Sequence, residues 1–113
     1  MHELPVVLDI IKVMEKETEE RGISQITRIN LVIGELSSVI DDSVQMYFEL
    51  IAEKTRCEGA KLTFEHIPAI LKCNSCGHEF PHQRGFDCPV CGKDAVLVKG
   101  TGREFYIKSY EYD

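Results

Sequence analysis

The sequence predicts an α+β protein with two helices and a small mixed sheet of about three strands, plus an inserted four-cysteine module. Three observations carry this prediction. Apolar residues recur at helical spacing in two segments, they favour strand structure in three others, and four cysteines form two matched Cys-x-x-Cys-Gly pairs. A chain of 113 residues therefore has room for one small domain that carries a metal-stapled module.

The first helix is predicted from about Pro5 to near Gly22, because proline suits a first helical turn and glycine often follows a last one. Its apolar stripe comprises Val7, Ile10, Ile11 and Met14. A strand follows over residues 28–33, where Ile29, Leu31 and Ile33 alternate with Arg28, Asn30 and Val32, and Gly34 ends it.

A second helix is predicted from Asp42 to about Thr55. Asp42 and Gln45 have the spacing of a capping box, with an acid in the cap position. The apolar stripe of this helix comprises Val44, Tyr47, Phe48 and Ile51.

Two further strands are predicted at about 61–67 and 103–112, both rich in aromatic and branched residues. We expect these two strands to pair with each other, since neither has another evident partner. The four cysteines fall between them, on connections near Ile70 and Gly100. Gly100 and Gly102 suit a hinge there, or merely a turn.

The two cysteine pairs are Cys73-Asn74-Ser75-Cys76-Gly77 and Cys88-Pro89-Val90-Cys91-Gly92, here called the first and second knuckle. In such a knuckle both thiolates converge on one side of a tight turn, the glycine adopts a left-handed backbone, and amide N–H groups point at sulfur. Two knuckles complete a tetrahedron. We therefore expect Cys73, Cys76, Cys88 and Cys91 to bind one metal ion, with two disulfides or a redox dithiol as alternatives.

A shell of four cysteines leaves no coordination position open for water, so this ion is expected to stabilise the fold rather than to catalyse hydrolysis. Zinc is the favoured ion, and iron remains an alternative because the second knuckle also occurs in rubredoxin-type sites. The domain prediction is thus residues 1–69 plus 101–113 for the α+β part and 70–100 for a zinc-ribbon module. Cys57 has no partner at suitable spacing and is expected to be a small buried or idle thiol.

The composition excludes several classes of function. A net charge of -6 and scattered basic residues disfavour nucleic-acid binding. No apolar stretch is long enough for a membrane span and no signal peptide is evident, so a soluble cytoplasmic protein is expected. The sequence shows no nucleophile with a base and no open metal site, so an enzyme is not expected.

The chain begins Met1-His2-Glu3, which places an imidazole at position two. Such an imidazole can join the terminal amine and neighbouring backbone nitrogens in the square-planar nitrogen sets that nickel(II) and copper(II) favour. Taken alone, His2 is more often an exposed residue without a ligand role.

Together these features resemble the HypA/HybF family of nickel metallochaperones, which act in maturation of nickel-iron hydrogenases. The resemblance covers essentially the whole chain and rests on Met1-His2-Glu3, the first amphipathic helix, Ile33-Gly34-Glu35 at a strand end, and the two knuckles. It implies that nickel is held by the His2 imidazole, the Met1 amine and the backbone nitrogens of His2 and Glu3. It further implies that the Glu3 side chain supports the nickel site and that the four cysteines hold zinc.

The resemblance also implies partners: the GTPase HypB and the hydrogenase large subunit, and in some members the urease maturation proteins. The chain has no phosphate-binding loop motif of its own, so nucleotide chemistry is assigned to a partner. His78 and His82 could contact a cysteine sulfur, although solvent-facing residues are the simpler interpretation. The alternative functions are a rubredoxin-like electron carrier and a zinc-ribbon module that binds nucleic acid or protein without transferring nickel.

Overall fold

The computed structural model describes residues 3–82 and 87–113. The elements in these ranges are, in chain order, α1 (Glu3–Arg21), β1 (Ile26–Gly34), α2 (Asp41–Ile51), β2 (Lys61–Ile67), β3 (Ile70–Cys73), β4 (Glu79–Pro81), β5 (Ala95–Leu97) and β6 (Phe105–Tyr112). The α+β class and the two predicted helices are confirmed.

The first sheet has the strand order β2-β1-β6, so β1 lies between the two strands that were expected to pair. That prediction was wrong. The N–H groups of Ile26 and Glu35 donate to the carbonyls of Arg56 and Ile67, so β2 runs parallel to β1. Bonds from Gly34 to Glu104 and from Asp113 to Gln25 make β6 antiparallel, which confirms a mixed sheet.

Burial explains why β1 is the central strand. Five of its apolar side chains are at most 1% exposed, namely Ile26, Ile29, Leu31, Val32 and Ile33. A strand that is covered on both faces needs a neighbour on each side, since unpaired backbone groups are costly in an apolar environment. β2 and β6 carry more exposed side chains and occupy the edges.

The capping box predicted for α2 is not formed. The N-cap residue is Ile40, whose side chain has no acceptor, and Gln45 instead donates to the Glu49 carboxylate. The helix also ends at Ile51, before the predicted Thr55. The Thr55 hydroxyl and amide both donate to the carbonyl of Ala52, and this local bonding competes with a further helical turn.

The second sheet has the strand order β4-β3-β5 and carries the cysteines. Both pairings of β3 are antiparallel, with Leu71 opposite Phe80 on one side and opposite Leu97 on the other. Among the described residues, the buried side chains of the core cluster around this sheet are Leu71, Cys73, Phe80 and Cys88. Half of this small core therefore consists of potential metal ligands.

The chain folds into two compact units. The first comprises residues up to Val32, Ser38–Glu65 and Tyr106–Asp113, and the second comprises Ile33–Ser37 and His66–Phe105. The domain boundaries at residues 70 and 100 stay a prediction from the sequence. None of the helices in the described ranges has the length and apolar character needed to cross a membrane.

Candidate metal centres

The sulfur atoms of Cys73, Cys76, Cys88 and Cys91 all lie within 4.8 Å of one another. The shortest separations join the two knuckles: 3.3 Å between Cys73 and Cys91, and 3.7 Å between Cys76 and Cys88. Four sulfurs at about 2.3 Å from a tetrahedral ion would lie about 3.8 Å apart. The observed cluster therefore fits a tetrahedral metal ion.

The two knuckles share the same local hydrogen bonds. In each, the glycine N–H donates to the carbonyl of the first cysteine, and the first cysteine's N–H donates to the carbonyl five residues later. Gly77 and Gly92 have φ angles of 77° and 75°, as predicted from the glycine pattern. The repeated sequence thus builds the same turn twice.

Backbone amides also point at the sulfurs, as the knuckle pattern predicts. The N–H groups of Ser75 and Cys76 donate to the Cys73 sulfur at 3.3 and 3.4 Å. The N–H of Val90 donates to the Cys88 sulfur at 3.4 Å. Such bonds stabilise thiolates, which are the ligand form of cysteine.

Thiol ionisation is uneven across the cluster. The hydrogen bond from the Cys76 amide, supported by the one from Ser75, outweighs burial and lowers the pKa of Cys73 to about 6. The Lys93 amide favours the Cys91 thiolate, but the neighbouring sulfurs and burial outweigh it and raise the pKa of Cys91 to about 11. A cation is therefore needed to hold all four sulfurs as thiolates near neutral pH.

Burial alternates along the cysteine sequence. Cys73 and Cys88, the first residues of the two knuckles, are each 2% exposed, whereas Cys76 and Cys91 are exposed.

The fifth cysteine, Cys57, is fully buried, and burial raises its pKa to about 11. Among the described residues, the four knuckle cysteines form the only cluster of three or more potential ligands.

The two histidines near the knuckles have different surroundings. The exposed His78 ring stacks on Phe80 with a centroid distance of 5.8 Å. The His82 ring lies 3.2 Å from the Glu35 carboxylate. Sequence reasoning assigned no role to Glu35, and only its place in the Gly34-Glu35 pair could have drawn attention to it.

Glu35 follows β1 and makes two further contacts within the second unit. Its Oε1 accepts the N–H of Ala69 at 2.6 Å, and its own N–H donates to the carbonyl of Ile67. The Ala69 bond is the main reason that the pKa of Glu35 is lowered, and the His82 contact adds to it against the opposing effect of desolvation. Glu35 is thus present as a carboxylate between two segments of the second unit.

Of the three residues expected at the nickel site, Met1 and His2 lie outside the described residues. Glu3 is the first residue of α1 and is 4% exposed. Its Oε2 accepts the N–H of Ile40 at 3.1 Å. The carboxylate therefore ties the start of α1 to the residue that precedes α2.

Comparison with known proteins identifies the family of this chain. The family model described as "Hydrogenase/urease nickel incorporation, metallochaperone, hypA" matches residues 1–112. The chain belongs to the HypA family. Among proteins named hydrogenase maturation factor HypA, that of Caldanaerobacter subterraneus is 40% identical over 114 residues, covering all of both chains. That of Dehalococcoides mccartyi is 43% identical over 115 residues, covering all of this chain and 95% of the relative.

Solved structures of HypA proteins agree with this assignment. The solution structure of the nickel metallochaperone HypA from Helicobacter pylori matches with a TM-score of 0.66 and 27% identity, covering 99% of this chain and 97% of that one. A second HypA solution structure matches with a TM-score of 0.70 at the same identity, covering 99% and 96%. HypA is a family of metallochaperones in hydrogenase maturation rather than of enzymes.

Proposed function

We propose that this protein binds nickel(II) at its N-terminus and helps to deliver it to the large subunit of a nickel-iron hydrogenase. The observation that supports this most strongly is the match of the nickel-incorporation family model to residues 1–112. Met1-His2-Glu3 lies within the matched region and supplies nitrogen ligands of the kind that nickel(II) favours.

In this proposal nickel is cargo. It is held by the His2 imidazole, the Met1 amine and the backbone nitrogens of His2 and Glu3. The Glu3 side chain acts indirectly, because its bond to the Ile40 N–H fixes the position of residue 3. Ligands near a chain terminus can be exchanged one at a time, which suits a site that must release its ion.

We assign zinc to the four knuckle cysteines. The sulfur spacing, the N–H donors to sulfur and the all-thiolate shell support a structural zinc ion that is not transferred. A site of this kind contributes its binding free energy to folding, on the order of 10 kcal/mol at neutral pH. Zinc would therefore hold the second sheet together.

The proposed partners are the GTPase HypB and the hydrogenase large subunit, and the proposed location is the cytoplasm. The family description also names urease, so urease maturation proteins are further candidate partners. Nucleic acid and membranes are not proposed as partners.

Nickel titration of the protein with its native N-terminus, against a His2→Ala variant, tests the proposal. Zinc content is measured in both proteins. We expect His2→Ala to lose most nickel affinity and to retain one zinc ion per chain, because the two sites share no ligand. His66→Ala is the matched control, since His66 is an exposed histidine on β2.

Two results would contradict the proposal. Equal nickel affinity of His2→Ala and the native protein would show that His2 is not a nickel ligand and would rule out the proposed N-terminal site. A red iron-thiolate absorption band in the purified protein would replace the zinc assignment with iron.

A further inference from the structure

The Glu35 carboxylate contacts two segments that are far from it in sequence. Oε1 accepts the N–H of Ala69, 34 residues away, at 2.6 Å. Oε2 lies 3.2 Å from Nδ1 of His82, 47 residues away. The side chains of Glu35 and His82 are 34% and 28% exposed, so both are partly shielded from solvent.

These two contacts lie at one end of the β3–β4 hairpin. Ile70 pairs with Pro81, and the N–H of His82 donates to the carbonyl of Ala69 at 2.7 Å, which extends the ladder by one pair. Ala69 and His82 are therefore the two residues at the open end of the hairpin. The Glu35 carboxylate thus contacts the backbone of the residue before β3 and the side chain of the residue after β4.

The opposite end of the same hairpin carries the first knuckle. The N–H of Cys73 donates to the carbonyl of His78 at 2.9 Å, and the knuckle turn lies between these two residues. In the metal-free protein, the cysteine ligands at that end of the hairpin are not held together by a metal ion. Glu35 fastens the other end through bonds that need no metal.

We propose that Glu35 is the positioning residue that closes the open end of the β3–β4 hairpin and so pre-orders the first knuckle for zinc. This proposal rests on the zinc assignment made above. It gives a role to the Gly34-Glu35 pair, which the nickel site and the cysteine cluster do not use.

The neighbouring backbone supports this role. The Leu36 N–H donates to the carbonyl of Gly102, and the Ile70 N–H donates to the Thr101 hydroxyl at 3.0 Å. The segment that bears Glu35 and the start of β3 are thus both bonded to the chain that leaves the second sheet. Because backbone hydrogen bonds already order this segment, the Glu35 contacts cost side-chain rotamer freedom but little further backbone freedom.

The energetic consequence follows from linkage. Zinc binding to a disordered hairpin must include the cost of ordering it, so any contact that orders the metal-free hairpin raises zinc affinity. We expect Glu35→Ala to weaken zinc binding about tenfold, in line with the loss of hydrogen bonds to a charged group. Glu35→Gln retains an acceptor for Ala69 and should weaken it less, by about threefold.

The test combines two measurements on the full chain. Zinc affinity is measured by competition with a chromophoric chelator, and amide hydrogen exchange is measured on metal-free protein. For Glu35→Ala, we expect faster exchange at residues 70–73 and 78–82 and unchanged exchange in α1 and β1. His82→Ala should weaken zinc binding in the native background but cause little further loss in Glu35→Ala.

Glu65→Gln is the matched control, because Glu65 is an exposed carboxylate 2.8 Å from Lys108 and outside the second unit. It should leave zinc affinity within about twofold of the native value.

Native zinc affinity and native hairpin exchange in Glu35→Ala would overturn the proposal, as would equally faster exchange in both units. If Glu35→Ala does not fold, Glu35→Gln and His82→Ala decide the same question. None of these measurements involves nickel, so failure of the N-terminal site would leave their outcome unchanged.

Discussion

Glu3 illustrates how the side chain and the backbone of one residue can have separate tasks. Its carboxylate is turned to the Ile40 N–H and is almost fully buried, whereas its backbone nitrogen is a proposed nickel ligand. The Ile40 amide precedes a helix whose N-cap supplies no side-chain acceptor. Glu3 satisfies the N–H of the N-cap residue from another helix, a bond that the N3 side chain makes in a capping box.

Glu3→Ala should lower the free energy of unfolding by about 1–3 kcal/mol, because the Ile40 N–H loses its acceptor. Glu3→Gln should cost less, since an amide oxygen can still accept this bond. Chemical denaturation of zinc-loaded protein measures both values. Equal stability of Glu3→Ala and the native protein would show that the bond to Ile40 does not support the fold.

At the scale of single residues, the sequence identified the knuckle chemistry because it is local. Each knuckle is a turn of five residues, and it contains both its glycine, at position 77 or 92, and the amide bonds to its first cysteine, Cys73 or Cys88. The contacts of Glu3 and Glu35 could not be predicted in this way. Their partners are 34 to 47 residues distant in the chain, and no spacing rule links them.

At the scale of elements, apolar periodicity located α1, β1, β2 and β6 to within a few residues. It did not give the order of the strands, since a repeating pattern does not specify which strand is the neighbour. The apolar composition of β1, with Leu31, Val32 and Ile33 in succession, was the available sequence signal for a central strand. β3, β4 and β5 have only three or four residues each, too few for alternation to be evident.

The turn that leads into β6 offers a test at this scale. Gly102 has a φ angle of 81°, and a Cβ atom there would lie 2.7 Å from the Cβ of Ala69. Gly102→Ala should therefore lower the free energy of unfolding by about 2–4 kcal/mol, from backbone strain and overlap together.

Gly100→Ala separates the two causes. Gly100 has a φ angle of 90°, but a Cβ atom there would have no neighbour within 4 Å among the described residues. Gly100→Ala should therefore lower the free energy of unfolding by the backbone strain alone, about 1–2 kcal/mol. Thermal or chemical denaturation of both variants gives the comparison, and equal losses would mean that the close approach to Ala69 is unimportant.

At the scale of the whole molecule, the two units have different sources of stability. The first has a conventional apolar core whose fully or almost fully buried members include Val7, Met14, Ile26, Leu31, Val44 and Phe48. In the part of the chain that the structure describes, the core around β3 has four buried residues, two of which are cysteines of the metal cluster. An apolar core of that size needs a metal staple.

Removal of zinc should therefore affect the two units unequally. After treatment with a strong chelator at neutral pH, we expect amide exchange to accelerate in β3, β4 and β5 and to stay slow in α1 and β1. Readdition of zinc should restore protection. Simultaneous loss of protection in α1 would show that the first unit also depends on the metal.

The close backbone packing around Gly34 limits which sequences can adopt this fold. A Cβ atom on Gly34 would overlap the carbonyl group of Gly102, and one on Gly102 would overlap Ala69. Because the first overlap involves backbone atoms, no smaller side chain elsewhere can relieve it. In a library randomised at positions 34, 69 and 102, folded members should retain glycine at 34 and alanine or glycine at 69, and a residue other than glycine at 102 should occur only together with glycine at 69.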